Sequence, residues 1–155
     1  MEARLDILNN AMAMKVVKHL VSANKVVADS IPPSTAELVK IRASQINGCG
    51  FCLDMHTKDA AQAGESAVRL NLVATWQEAT VFTEAERAAL ELAEQGTRIA
   101  DGGSVTDEAW ANAVKHYDDD QLTALVAQIA VINAFNRLNV ILKRPAGDYQ
   151  PGQFG

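Results

Sequence analysis

The sequence predicts an all-α fold, a compact single-domain bundle of about six to seven helices. Hydrophobic residues make up 48% of the chain while aromatic residues make up only 5%, and Ala, Leu, Glu, Gln and Lys, which favour helices, are frequent. Apolar residues recur every three to four positions along most of the chain, which is the period of an amphipathic helix. A length of 155 residues suits one domain, and we expect it to span residues 1–155.

The first predicted helix runs from about Arg4 to Ala28 and is ended by Ile31-Pro32-Pro33, because proline cannot continue a helix. Its expected inward face is made of apolar residues at helical spacing: Leu5, Leu8, Met12, Val16, Leu20 and Val26. In the second helix, Ser34-Thr35-Ala36-Glu37 has the pattern of a capping box, and Asn47-Gly48 predicts the end. A third helix is predicted from about Cys49 to Gly64.

The second half of the chain predicts four further helices. The fourth is expected over Ser66–Gln77, and a capping box at Thr83–Glu86 begins a fifth that fades near Ile99. Thr106 is expected to cap the sixth. The last runs from about Gln121 to Leu142, after three aspartates that suit a helix N-terminus. Because this helix is apolar nearly all round, we expect it to be central or at a subunit interface.

Charge and hydropathy exclude several classes of partner. A formal net charge of -5 and a pI near 5.1 leave no basic stripe for binding nucleic acid. No wholly apolar run approaches the roughly 20 residues that span a bilayer, and the first residues lack the basic and then apolar pattern of a leader. We therefore expect a cytoplasmic protein that contacts neither nucleic acid nor membrane.

Cys49 and Cys52 form a CxxC motif, and two cysteines are too few for a secreted disulfide framework. On a helix both sulfurs point to roughly the same face, within reach of a disulfide. His56 follows four residues after Cys52 on that face. Because a helix N-terminus and a nearby imidazole both favour the reactive thiolate, the pattern predicts redox chemistry at this pair.

Spacing does not decide which sulfur attacks. The helix end favours Cys49, whereas hydrogen bonding from His56 favours Cys52. We predict that Cys52 is the attacking thiolate, because an imidazole can take the proton, and that Cys49 is the more exposed resolving partner. Phe51 and Met55 are expected to face elsewhere and pack.

Two alternatives compete with redox chemistry. The cysteines could be inert buried side chains, or they could bind zinc with His56 and a fourth ligand, for which Glu37 is the attractive candidate. Covalent haem is excluded because Leu53, not histidine, follows the second cysteine. Spacing alone explains Glu37 as a capping-box residue.

Glu37, followed twelve residues later by Cys49-x-x-Cys52-x-x-x-His56, resembles the signature of the AhpD-like branch of the carboxymuconolactone decarboxylase superfamily. The resemblance implies an all-α AhpD-like fold and a catalytic set of Glu37, Cys49, Cys52 and His56, with no cofactor and no metal. It also implies that Glu37 and His56 relay a proton, often through water, from a cysteine that attacks a hydroperoxide. The resulting sulfenic acid would condense with the second cysteine to a disulfide. Residues 38–48 and 55–60 resemble that branch as well.

One position departs from the pattern: the residue before the second cysteine is a histidine in the best-known AhpD proteins and is Phe51 here. The resemblance implies a hydroperoxide substrate, a dithiol reductant or redox partner protein, and a homo-oligomer, trimeric or hexameric. A redox sensor or dithiol adaptor with little turnover is a competing function. The decarboxylase side of the superfamily is another, although it generally lacks the CxxC pair.

Overall fold

The computed structural model describes residues 2–154. Within that range the chain forms seven α-helices, two short 3₁₀ segments and no β-strand, so the predicted all-α class and helix number are confirmed. The α-helices are α1 (Ala11–Val27), α2 (Pro33–Asn47), α3 (Gly50–Gln62), α4 (Ala67–Leu72), α5 (Glu84–Thr97), α6 (Asp107–Val114) and α7 (Asp119–Ile141), and the 3₁₀ segments are Val73–Thr75 and Arg98–Asp101.

Helix α2 lies at the centre of the fold, packed between α5, α7 and α3. Its two sides enter two clusters of buried apolar side chains. Val39 packs with residues of α5, α6 and α7, while Leu38 and Ile41 pack with residues of α3, α5 and the segment between them. Burying an aliphatic side chain of this size stabilises a fold by roughly 1.5–3 kcal/mol. Both clusters therefore hold α2 in place, and α2 carries Glu37.

Helix α7 confirms the expected central position. It packs against α1, α2, α3, α5 and α6, and ten of its residues are buried. Asp118 and Gln121 form a capping box at its start, which satisfies two backbone N–H groups that a helix leaves without partners. By length and composition alone α7 could cross a membrane, but its contacts are those of the core helix of a bundle.

The first helix is shorter than predicted and its apolar face is not buried. The Asp6 carboxylate accepts the backbone N–H groups of Leu8 and Asn9, which gives this segment a local alternative to helical bonding. The Asn10 side chain caps α1 at Ala11. Within α1 none of the residues is buried, and Met12 is 69% exposed, so the predicted inward face is wrong.

The predicted capping box at Ser34–Glu37 is also wrong. Helix α2 begins at Pro33 after an N-cap, Pro32, that makes no side-chain capping bond. Proline suits the first helical position because it has no N–H to leave unpaired and its φ is already helical. The Glu37 carboxylate is therefore not used at the helix start and points toward α3 instead.

The fourth predicted helix stops early. Helix α4 ends at Leu72 and passes into the first 3₁₀ segment. The guanidinium of Arg87 donates to the carbonyl oxygens of Trp76, Gln77 and Ala79. These carbonyls are satisfied without a continuing helix, so the chain can turn toward the capping box that begins α5. That capping box, formed by Thr83 and Glu86, is confirmed.

Candidate dithiol active site

A left-handed turn places the two cysteines at the start of α3. Gly48 ends α2 with φ 65°, a conformation that glycine adopts without the strain of a side chain. The backbone N–H of Cys49 then donates to the carbonyl of Ser44 at 3.0 Å. Cys49 becomes the N-cap of α3, and its Sγ accepts the backbone N–H of Cys52 at 3.3 Å.

Cys49 and Cys52 are joined by a disulfide with 5.4 Å between their Cα atoms, as the CxxC spacing predicts. Both residues are buried, Cys49 with 2% and Cys52 with 1% exposure, so the expected greater exposure of Cys49 is not observed. Cys52 Sγ also accepts a hydrogen bond from Asn139 Nδ2 at 3.3 Å. Each sulfur therefore has one hydrogen-bond donor, the Cys52 backbone N–H for Cys49 and the Asn139 amide for Cys52. After reduction these donors can stabilise a thiolate.

The structure brings Glu37 and His56 together, although they are on different helices. His56 Nδ1 lies 3.0 Å from Glu37 Oε2, and Lys40 Nζ donates to Glu37 Oε1 at 2.7 Å. His56 is buried, with 8% exposure, and it follows Cys52 by one turn of α3. The carboxylate therefore bridges a cation on its own helix and the imidazole beside the cysteine.

Glu37 is ionised at any physiological pH. Burial acts to raise its pKa, but the hydrogen bond and charge of His56, together with Lys40, outweigh that effect and lower the pKa to about 2. An ionised carboxylate only accepts hydrogen bonds, so His56 Nδ1 carries the hydrogen that it donates to Glu37. In neutral His56 the Nε2 atom is then the free acceptor.

A cavity of about 620 Å³ opens beside this pair. Cys52, His56 and Glu37 reach its wall. Phe51 and Met55 line the same cavity, so the expectation that they face elsewhere is wrong. The rest of the wall is largely aliphatic and aromatic, with Ile7, Met14, Val17, Val21, Val131, Ile132, Phe135, Leu138 and Phe154 among its residues.

Three asparagines on α7 support the site, and none of them was predicted from the sequence. Asn136 donates to Ser44 Oγ at 3.0 Å, and Asn47 donates to the side-chain oxygens of Asn133 and Asn136 at 2.9 Å each. Asn139 continues the row to Cys52. The available signal was the spacing, because asparagines three residues apart in an apolar helix form one polar stripe.

Asn136→Ala is expected to destabilise the protein by roughly 2–3 kcal/mol, because it leaves the buried Ser44 hydroxyl without its Asn136 partner and removes one of the two oxygens that accept from Asn47. Urea unfolding followed by circular dichroism measures this. Asn71→Ala is the matched control, since Asn71 is exposed on α4 and its amide should contribute within about 0.5 kcal/mol. Equal stabilities of the two variants would contradict a structural role for the asparagine row.

The other two of the three histidines lie outside the site. His19 and His116 are exposed and are not among the cavity residues. Among residues 2–154, no group of three or more His, Cys, Asp or Glu side chains is arranged to hold a metal ion.

Comparison with known proteins places this site in a family context. Residues 15–95 match the model of the carboxymuconolactone decarboxylase family. The chain is 43% identical over 113 residues to the uncharacterized protein YdfG of Bacillus subtilis, an alignment that covers 73% of this chain and 76% of YdfG. It is 32% identical over 116 residues to the uncharacterized protein YnjA of Escherichia coli, covering 75% of this chain and 63% of YnjA.

A solved structure shares nearly the whole fold. It is a protein of unknown function from Agrobacterium tumefaciens, provisionally described as the antioxidant defence protein AhpD. The two structures superpose with a TM-score of 0.87 at 31% sequence identity, covering 96% of this chain and all of the other. The AhpD-like fold predicted from the sequence is confirmed.

Proposed function

Since this chain belongs to the carboxymuconolactone decarboxylase family, we propose that it is a thiol-dependent hydroperoxide reductase of the AhpD-like kind. The observation that carries the proposal is the Cys49–Cys52 disulfide beside the Glu37–His56 pair, at the wall of a largely apolar cavity. The pair of cysteines can cycle between dithiol and disulfide. The cavity offers space for an organic peroxide next to one of them.

The reaction begins with the reduced pair. The Cys52 thiolate attacks the terminal oxygen of the hydroperoxide, the O–O bond breaks, and the alkoxide leaves as an alcohol after taking a proton. Cys52 is then a sulfenic acid. The Cys49 thiol attacks that sulfur, water leaves, and the disulfide forms. Two electrons pass from the sulfurs to the peroxide, and a dithiol reductant restores them by thiol–disulfide exchange.

Cavity access supports Cys52 as the attacking sulfur. Cys52 is among the residues that line the cavity, whereas Cys49 is not. Cys49 instead lies at the N-cap of α3, three residues before Cys52. A peroxide held in the cavity would meet Cys52 first.

The Glu37–His56 pair supplies the proton transfer. His56 Nε2 can accept the thiol proton, directly or through water, while Nδ1 stays hydrogen-bonded to Glu37 Oε2. The ionised carboxylate stabilises the imidazolium that results, and the imidazolium can then protonate the leaving alkoxide. The same proton is thus taken from the thiol by His56 and then given to the leaving alkoxide.

The proposal is tested by the consumption of cumene hydroperoxide in the presence of excess dithiothreitol. Wild type is expected to turn over repeatedly and to saturate with peroxide, whereas the double variant Cys49→Ser/Cys52→Ser should match the rate without enzyme. If the protein consumed one equivalent of peroxide and then stopped, the result would contradict the enzyme proposal and favour a redox sensor or adaptor. Lactone decarboxylation that survives in the double variant would replace it with the decarboxylase function.

A further inference from the structure

Arg144 occupies an unusual position at the cavity wall. It follows the end of α7, where its backbone N–H donates to the carbonyl of Asn139 at 2.9 Å. Its guanidinium carbon lies 3.6 Å from the ring centroid of Phe51 and 5.3 Å from that of Phe154. Aromatic faces hold a guanidinium by stacking and cation–π attraction. Phe51, adjacent to Cys52, is therefore the platform that fixes this cation at the site.

The guanidinium of Arg144 has no partner among residues 2–154: it makes neither a hydrogen bond nor an ion pair there. The chain's other arginines do: Arg42, Arg69 and Arg98 pair with carboxylates, and Arg4, Arg87 and Arg137 donate to carbonyl oxygens. Burial lowers the pKa of Arg144, and only the more distant charge of Asp6 opposes this. The free N–H groups of this half-buried cation can therefore donate charge-assisted hydrogen bonds to a bound anion.

The cavity wall carries further basic residues and two acidic residues. Lys18 and Lys25 also line it and are exposed on α1. The two acidic residues of the wall are both engaged by the protein. Glu37 is bonded to Lys40 and His56, and Asp59 accepts the Tyr149 hydroxyl at 2.9 Å and the Gly152 N–H at 3.1 Å. In a chain of net charge -5, the cavity wall carries four basic residues, Lys18, Lys25, Lys40 and Arg144, against the two carboxylates. This local excess of positive charge attracts anions.

We propose that the cavity binds an organic molecule with an apolar chain that ends in a carboxylate, and that Arg144 binds this carboxylate. In the proposed function, on which this step rests, that molecule is the hydroperoxide. Its carboxylate lies against the edge of the guanidinium stacked on Phe51, its chain crosses the aliphatic wall, and its hydroperoxide group reaches Cys52. Arg144 is thus a specificity-determining residue, because stacking leaves its edge free for a bidentate contact with a carboxylate.

Binding tests the inference independently of turnover. Octanoate and octanamide have the same chain and nearly the same shape but differ in charge, and both can be titrated calorimetrically into the oxidised wild-type protein. We expect octanoate to bind roughly tenfold more tightly, in line with a hydrogen bond to a charged group. Arg144→Gln should remove this preference and Arg144→Lys should keep part of it. Lys143→Gln is the matched control, because Lys143 is the neighbouring exposed cation and does not line the cavity.

The ratio of the two affinities separates specificity from damage to the fold, since a disturbed cavity would weaken both ligands. Equal affinities in wild type, or an unchanged ratio in Arg144→Gln, would overturn the inference. A third result is possible: the protein prefers octanoate to octanamide but does not turn over cumene hydroperoxide. That result would support the carboxylate site and contradict the proposed peroxidase function.

Kinetics then identify which reactant carries the carboxylate. The kcat/KM for ω-hydroperoxyoctanoate should exceed that for its primary amide by about the same factor, and Arg144→Gln should make the two equal. The same comparison with dihydrolipoate and dihydrolipoamide as reductants should show little difference. A preference found only between the reductants would contradict the assignment of the carboxylate to the peroxide.

Discussion

Cys52→Ser is expected to lose hydroperoxide turnover by roughly 10³-fold or more, because the variant lacks the nucleophile itself. In the structure this sulfur is the one at the cavity wall, and it accepts a hydrogen bond from Asn139. A serine hydroxyl at the same place cannot be oxidised. The measurement is single-turnover reduction of cumene hydroperoxide by the pre-reduced variant, in which no alcohol should form above background.

Cys49→Ser is the matched control for this prediction, since it removes the other sulfur of the same disulfide. It should still reduce one equivalent of peroxide and stop at a sulfenic acid on Cys52 that dimedone traps, because no second thiol is present to condense with it. If Cys49→Ser failed to form a sulfenic acid while Cys52→Ser formed one, the order of attack would be reversed.

Glu37→Gln is expected to lower kcat/KM for the hydroperoxide by about 10²-fold at neutral pH, within the range of general acid–base catalysis. The amide cannot stabilise the His56 imidazolium as a carboxylate does. Because the pKa of Glu37 is about 2, wild-type activity should not change through titration of this group above pH 4. In the variant, the rate should recover in part at high pH, where the thiol ionises without help.

Glu94→Gln controls for the loss of a partly buried, ion-paired carboxylate in general. Glu94 Oε2 accepts from Arg42 at 2.9 Å and from Trp76 at 2.8 Å, and it is not among the residues that line the cavity. This variant should lose stability while keeping kcat/KM within a few fold of wild type. A Glu37→Gln variant that behaved like Glu94→Gln would show that Glu37 is structural.

The sequence was sufficient for the parts of the fold that depend on local pattern. Helical periodicity, the predicted caps at Thr83 and Thr106, and the three aspartates before the last helix located helices that the structure contains. The CxxC spacing predicted the disulfide, since both cysteines are within one turn. The proximity of Glu37 to His56, by contrast, came from a family resemblance, because their helices meet only through tertiary packing.

Where local pattern failed, a competing contact explains the failure. Ser34 and Glu37 have capping-box spacing, but proline starts the helix and Glu37 bonds to Lys40 and His56 instead. Phe51 looked like an ordinary packing residue because the cation above it, Arg144, is 93 positions further along the chain. Periodicity carries no information about such a pairing.

The asparagine row on α7 has a consequence for the biosynthesis of the protein. The hydrogen bonds that join it to α2 and Cys52 span between 86 and 92 residues of sequence. Contacts of such long separation form late, and a ribosome releases α7 well after α2 and α3. A nascent chain without α7 therefore holds Cys49 and Cys52 as ordinary thiols, because it has neither the Asn139 donor nor the part of the cavity wall that α7 supplies. The two thiols gain the Asn139 hydrogen bond and the cavity wall only when α7 docks. Truncation before residue 139 should therefore yield a dithiol without peroxide selectivity.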